Sequence, residues 1–208
     1  MEIETWAAFA MVSFSLLAAP GPISLLIVSC TLSFGRNRAA AIIPGSILGD
    51  FVTMSLSLVG AGIVVTKYPF LFDFLKFGGA IILFVIGFST FAKARKKIYM
   101  GGAFERATAS SLFLKGFVLS ALHPSGFVFF TAFAPQFIEP SGSFMKQAAL
   151  LIITFLSIAG LTGFIWLFGA SYIRKMVVQT GVLRNFQKFN GLLLMGFSVI
   201  LMILLMIS

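Results

Sequence analysis

Cysteine and histidine each occur once, as Cys30 and His123, and acidic residues number six. A lone thiol excludes an internal disulfide and any paired-thiol electron relay. One imidazole and one thiol leave no cluster with metal-ligand spacing, and no complete hydrolytic triad can be assembled. A single acid, Asp50, falls at membrane depth. The run Gly45-Ser46-Ile47-Leu48-Gly49 has no phosphate-loop lysine and lies inside an apolar stretch, so it reads as helix packing. An enzyme is therefore not expected. Neither is a cofactor, since the 26 phenylalanines and 9 methionines read as packing material.

Charge of any kind is scarce, at 10% of 208 residues, while 59% are hydrophobic. Apolar runs fill nearly the whole length, which describes a polytopic membrane protein with one membrane domain and no room for a soluble catalytic module. The acidic start Met1-Glu2-Ile3-Glu4 lacks the basic region of a cleavable signal peptide, so it is expected to be retained with the first helix. A net charge of +9 would suit nucleic acid in a soluble protein, but here the charges sort by loop. Twelve of the 15 basic residues belong to three connections, namely Arg36 and Arg38, Lys93 to Lys115, and Arg174 to Lys188. Only Lys67, Lys76 and Lys146 lie on the alternate side. This positive-inside bias places both termini outside the cytoplasm and leaves the lipid bilayer, not nucleic acid, as the large partner.

Six membrane-spanning helices are predicted, at about 6–32, 39–66, 70–92, 112–138, 144–172 and 189–208. The longest polar connection, the basic linker 93–111, divides the chain into one three-helix repeat at 1–92 and another at 112–208. An odd number of spans per half makes the halves inverted in the membrane. The expected fold is an all-α integral membrane protein of two inverted three-helix repeats, with helices 1 and 4 broken by proline.

Those breaks point to function. No residue between Trp6 and Gly35 is charged, yet Pro20-Gly21-Pro22 interrupts the run near its middle, and His123-Pro124-Ser125 does the same in the second half. Lipid cannot satisfy the backbone groups so freed, and such a break persists only where protein or a water-filled cavity can. Corresponding broken helices mark a transporter's binding site. Half-helix N-termini suit a carboxylate and unwound carbonyls suit a cation, and an amino acid carries both groups. Asp50 lies near the middle of helix 2, where a carboxylate costs on the order of 3 kcal/mol, so a function is expected to offset it. Ser46, Gly49, Thr53, Ser57 and Gly60 share its helical face, a small and polar stripe. Burial disfavours a carboxylate's charge and a neighbouring cation restores it, which lets Asp50 exchange a proton between states open to opposite sides. His123 either joins that proton path or caps the broken helix. Gln136, near the outer end of helix 4, is a candidate gate.

Two blocks of residues resemble the LysE/RhtB family of amino-acid exporters, and the likeness covers nearly the whole chain. The first is Pro20-Gly21-Pro22, Gly35-Arg36, Gly45 and Gly49-Asp50; the second is Phe113-Leu114-Lys115-Gly116-Phe117, Phe129-Phe130 and Pro135-Gln136-Phe137. The resemblance implies a bacterial inner-membrane exporter of amino acids or related metabolites, energised by proton exchange. The implied partners are a small amino-acid-like substrate and protons. Two departures fall in the inferred site. His123-Pro124-Ser125 stands where relatives typically have Asn-Pro-Lys, and Ile23 stands where a polar residue often follows Pro-Gly-Pro. Two alternatives stay open. A cation or metal-ion exporter of related architecture lacks the multiple acids or histidines it would need, and a passive channel leaves the broken-helix pair and Asp50 without a use.

Overall fold

The computed structural model describes residues 2–67, 78, 80–81, 83–89, 91–92, 107–122, 129–131, 133–139, 142–178 and 180–207; among these there are helices and turns but no strand. Helix α1 spans Ile3–Ala18 and α2 spans Pro22–Phe34. Ala19 is extended because the ring of Pro20 crowds the residue before it, and Gly21 is extended at φ −120°, ψ −174°. Pro22 then opens α2 in its first turn, where a missing N–H costs nothing. The two helices bend by 48° at this break. Gly35, at φ +83°, closes α2 and turns the chain into the single turn α3 (Arg36–Ala39) and the long α4 (Ile42–Lys67).

Residues 80–81, 83–89 and 91–92 are helical. Helix α5 (Ala109–Ala121) is capped by the Thr108 hydroxyl, which accepts the Ser111 N–H at 3.2 Å. A short helical stretch at 129–131 leads to a 3-10 turn at Ala134–Phe137, followed by α6 (Phe144–Val178) and α7 (Thr180–Ile207). By length and apolarity, Arg36–Gly60 and Phe144–Ala170 can each cross a bilayer, and the bent α1–α2 pair makes a third if it is one broken span. Ala109–Ala121 and Gly191–Ile200 are apolar but shorter.

The first helix is thus interrupted where its prolines predict. The second half differs from expectation in two places. Helix 4 does not continue as α-helix to Ile138, because Pro135 withholds an N–H and the chain tightens into the 3-10 turn. The basic connection expected between helices 5 and 6 is helical up to Val178 and again from Thr180. Hydropathy marks where an apolar stretch stops, not where backbone hydrogen bonding does. His123, Pro124 and Ser125, together with Asp73, Lys76 and most of the 93–111 linker, lie outside the described residues.

Lipid tails are as apolar as the helices they surround, so close helix contact relies on small residues. The most extensive contact joins α4 and α5. Gly45 and Gly49 lie against the backbone of Phe113 and Phe117, and Gly116 lies so close to α4 that an added Cβ would sit 2.5 Å from the Ile42 carbonyl oxygen. Buried side chains then form two apolar clusters. The first gathers Phe9 and Val12 of α1, Met54 and Leu58 of α4, the rings of Phe129, Phe130, Phe133 and Phe137, and Leu151 and Phe155 of α6. The second gathers Ile27 and Val28 of α2, Ile42 and Ile43 of α4, Leu112 of α5, and Trp166 and Leu167 of α6.

Candidate functional site

Between the two clusters lies a level of different chemistry. The broken pair contributes α1 to one cluster and α2 to the other, so Pro20-Gly21-Pro22 falls between them. On α4 the same interval holds Gly49, Asp50 and Thr53; on α6 it holds Gly160, Thr162 and Gly163. Helix α5 ends there with Ser120 and Ala121.

Ser24 repairs the break. Its hydroxyl accepts the Gly21 N–H at 2.7 Å and donates to the Gly21 carbonyl at 2.9 Å, while the Leu25 N–H reaches the same carbonyl at 3.0 Å. Both backbone groups of Gly21 are therefore satisfied by protein, as a break inside a membrane span would require. Asp50 meets α5, where the Ser120 hydroxyl donates to its Oδ1. One turn on, the Thr53 hydroxyl donates to the carbonyls of Gly49 at 3.0 Å and Ala121 at 3.2 Å. A carboxylate this deep is thus given a donor, and α4 is tied to the last turn of α5, directly ahead of His123-Pro124-Ser125 in the chain. Ser46 is buried and bonds the Ile43 carbonyl at 2.9 Å. Of the predicted stripe, Ser46, Gly49, Thr53 and Ser57 are buried and Gly60 is exposed.

Gln136 lies elsewhere, on the 3-10 turn beside Phe137, with its N–H on the Phe133 carbonyl at 3.1 Å. Two surface cavities also lie away from Asp50. One, of about 400 Å³, is lined by Met11, Phe14, Leu193 and Phe197; the other, of about 620 Å³, surrounds the turn Gly35 to Arg38. No group of three or more possible metal ligands occurs among the described residues. Sequence reasoning missed Ser24 and Ser120. Ser24 carries a readable signal, since the third residue of a helix is where a side chain can reach back to the N-cap N–H. Ser120 carries none, because its partner is 70 residues away.

The profile of LysE-type translocators matches residues 14–205. The chain belongs to the LysE-type translocator family. Similar to this translocator are an uncharacterized membrane protein of Vibrio cholerae serotype O1, 24% identical over 201 residues that make up 97% of this chain and 98% of that one, and a leucine efflux protein of Enterobacter sp. strain 638, 24% identical over 191 residues and 89% of each chain. A homoserine/homoserine lactone efflux protein of Salmonella typhi is 27% identical over 154 residues, 74% of each chain. No solved structure matches. As a LysE-type translocator the chain is a membrane transporter and not an enzyme.

Proposed function

We propose that the protein exports an amino acid or a related small zwitterion from the bacterial cytoplasm in exchange for protons, with Asp50 carrying the coupling charge. The observation behind this reading is the hydroxyl-bonded Asp50 carboxylate at the level of the broken α1–α2 pair, between two apolar clusters. The efflux activities that name two relatives, leucine and homoserine or its lactone, support the substrate class. In the cycle, Asp50 is ionised while it holds the substrate's ammonium, takes a proton from the outer side as the substrate leaves, and releases that proton inward. Pro20-Gly21-Pro22 presents the N-terminal turn of α2 to the substrate's carboxylate. Ser46, Gly49 and Thr53 shape the adjoining face of α4, and His123-Pro124-Ser125 is the counterpart break in the second half. Six spans in two inverted repeats, 1–92 and 112–208, place both termini outside the inner membrane, as the sorting of basic residues supports.

Reconstitution in liposomes tests this. Counterflow of each labelled amino acid, leucine and homoserine first, is expected to saturate and to become uphill when a pH gradient is imposed. Conduction without saturation would favour a channel, and no flux of any amino acid would overturn the reading. Asp50→Asn keeps the shape and removes the titration, so proton-driven accumulation is expected to vanish. A variant that still pumps in a proton-dependent way would remove Asp50 from this role.

A further inference from the structure

A serine or threonine inside a helix has a ready partner in the carbonyl three or four residues back. Ser15, Thr31, Ser46, Thr53 and Thr162 all use it, at 2.7–3.0 Å. Ser13 and Ser57 do not. They are 0% and 2% exposed, and neither hydroxyl has a hydrogen-bond partner among the described residues. Burying an unbonded hydroxyl is penalised, and packing alone does not select for it twice.

The two serines stand at matching offsets from the site. Ser57 follows Asp50 by seven residues and Ser13 precedes Pro20 by seven, which is two helical turns or roughly 10 Å along the axis in each case. Both displacements lead into the same apolar cluster, which contains Val12 beside Ser13 and Leu58 beside Ser57. That cluster extends to Phe137 and Ile138, next to Glu139 at the end of the 3-10 turn. Along α4, the Ser57 hydroxyl, the Thr53 hydroxyl and the Asp50 carboxylate recur at steps of four and three residues. They therefore line one face with roughly 5–6 Å between successive Cβ atoms, a gap that one water spans.

We propose that Ser13, Ser57 and Thr53 form a proton relay from the outer side to Asp50, which the exported molecule's route meets only at Thr53 and Asp50. The inference rests on the reading of Asp50 as the coupling residue. Each hydroxyl oxygen accepts a proton on a lone pair as it passes its own proton onward, so it ends with the composition it began with. The net change is one proton lost from the outer solution and the Asp50 carboxylate converted to the carboxylic acid. Passage of this kind needs only hydroxyls and water within the cluster. A zwitterion, by contrast, must part rings such as Phe9 and Phe137, which meet edge to face at 5.3 Å. The proton reaches Asp50 as the substrate leaves, without retracing the substrate's path between those rings.

Reconstituted protein separates the two routes. Leucine or homoserine exchange at equal pH moves no net proton, whereas efflux driven by a pH gradient requires proton entry. Ser13→Ala, alone and with Ser57→Ala, is expected to leave exchange within about twofold of the parent and to lower gradient-driven efflux about tenfold. Ser57→Thr, which keeps a hydroxyl, is expected to retain most of the driven efflux that Ser57→Ala loses. A second measurement needs no transported molecule. After the outer side is acidified, the infrared carbonyl band of protonated Asp50 is expected to appear about tenfold more slowly in the alanine variants. Equal loss of exchange and driven efflux would overturn the relay in favour of substrate contact or packing, and so would an unchanged rate of Asp50 protonation. A parent protein that exchanges substrate but whose Asp50 stays unprotonated after the outer side is acidified would overturn the coupling reading itself, and the relay with it.

Discussion

Replacing Gly49 with alanine tests whether the close approach of α4 and α5 organises the site. The added Cβ would fall 2.6 Å from the Phe117 carbonyl oxygen, 2.8 Å from the Ser120 Cβ and 2.9 Å from the Ala121 nitrogen. Carbon contacts prefer about 3.5 Å or more, so the helices must separate by roughly 0.5–1 Å. Two of the three obstacles are backbone atoms and cannot rotate away. Alanine in a helix is worth about 1 kcal/mol over glycine, while overpacking costs about 1–3 kcal/mol, so the net is a loss of up to about 2 kcal/mol. At about 2–4 °C per kcal/mol for a chain of this size, thermal unfolding should move down by a few degrees. The same separation lengthens the bonds from Ser120 to Asp50 and from Thr53 to Ala121. Proton-driven transport should therefore fall further than stability does. Gly60 is the control on the same helix, with nothing within 4 Å of an added Cβ, so Gly60→Ala should be neutral or slightly stabilising. The assays are thermal unfolding in detergent and gradient-driven flux in liposomes. If Gly49→Ala matches Gly60→Ala in both, the α4–α5 approach does not organise the site.

Three further outcomes are expected. Ser120→Ala removes the donor to Asp50 and should lower gradient-driven flux about tenfold, with Ser120→Thr retaining most of it. Gln147 is 5% exposed; its Oε1 accepts the Glu139 N–H at 2.9 Å and its Nε2 donates to the Glu139 carbonyl at 3.0 Å. Gln147→Leu should cost about 1–3 kcal/mol in thermal unfolding, and no loss would show that the turn holds without this clamp. The Glu2 backbone N–H, donating to the Glu139 carboxylate at 2.7 Å, holds that carboxyl below the usual glutamate range. Because the folded value is lowered, the tie is fully present above the usual range and is lost as pH falls through the lowered value. Hydrogen exchange in the first turn of α1, corrected for intrinsic rates, should thus lose protection on acidification, and Glu139→Ala should abolish that pH dependence.

Some of the site was readable from residues alone. Pro20-Gly21-Pro22 breaks a helix through covalent geometry, whatever surrounds it, and the 48° bend stands there. Asp50 was conspicuous because a carboxylate in an apolar run has a cost that needs a reason. The stripe through Ser46, Gly49 and Thr53 was readable as a face, but not what the face meets, which is the backbone of α5. Ser120 looked like any helical serine until its partner was known. Pro135 was an overlooked warning that helix 4 would not stay α-helical to Ile138. The helical basic stretches 174–178 and 180–188 were unreadable because transfer preference and backbone hydrogen bonding end at different residues.

Membrane residence, family membership, the position of the first break and the acid beside it follow from the chain alone. They depend on transfer free energy and backbone covalent chemistry, which act residue by residue. The packed helices decided the rest: that Asp50 receives a hydroxyl from Ser120, that α4 and α5 touch through glycine, and that Ser13 and Ser57 are each buried without a hydrogen bond among the described residues, next in the chain to members of one cluster. Those outcomes depend on the rotation and register of one helix against another, and no local pattern specifies either.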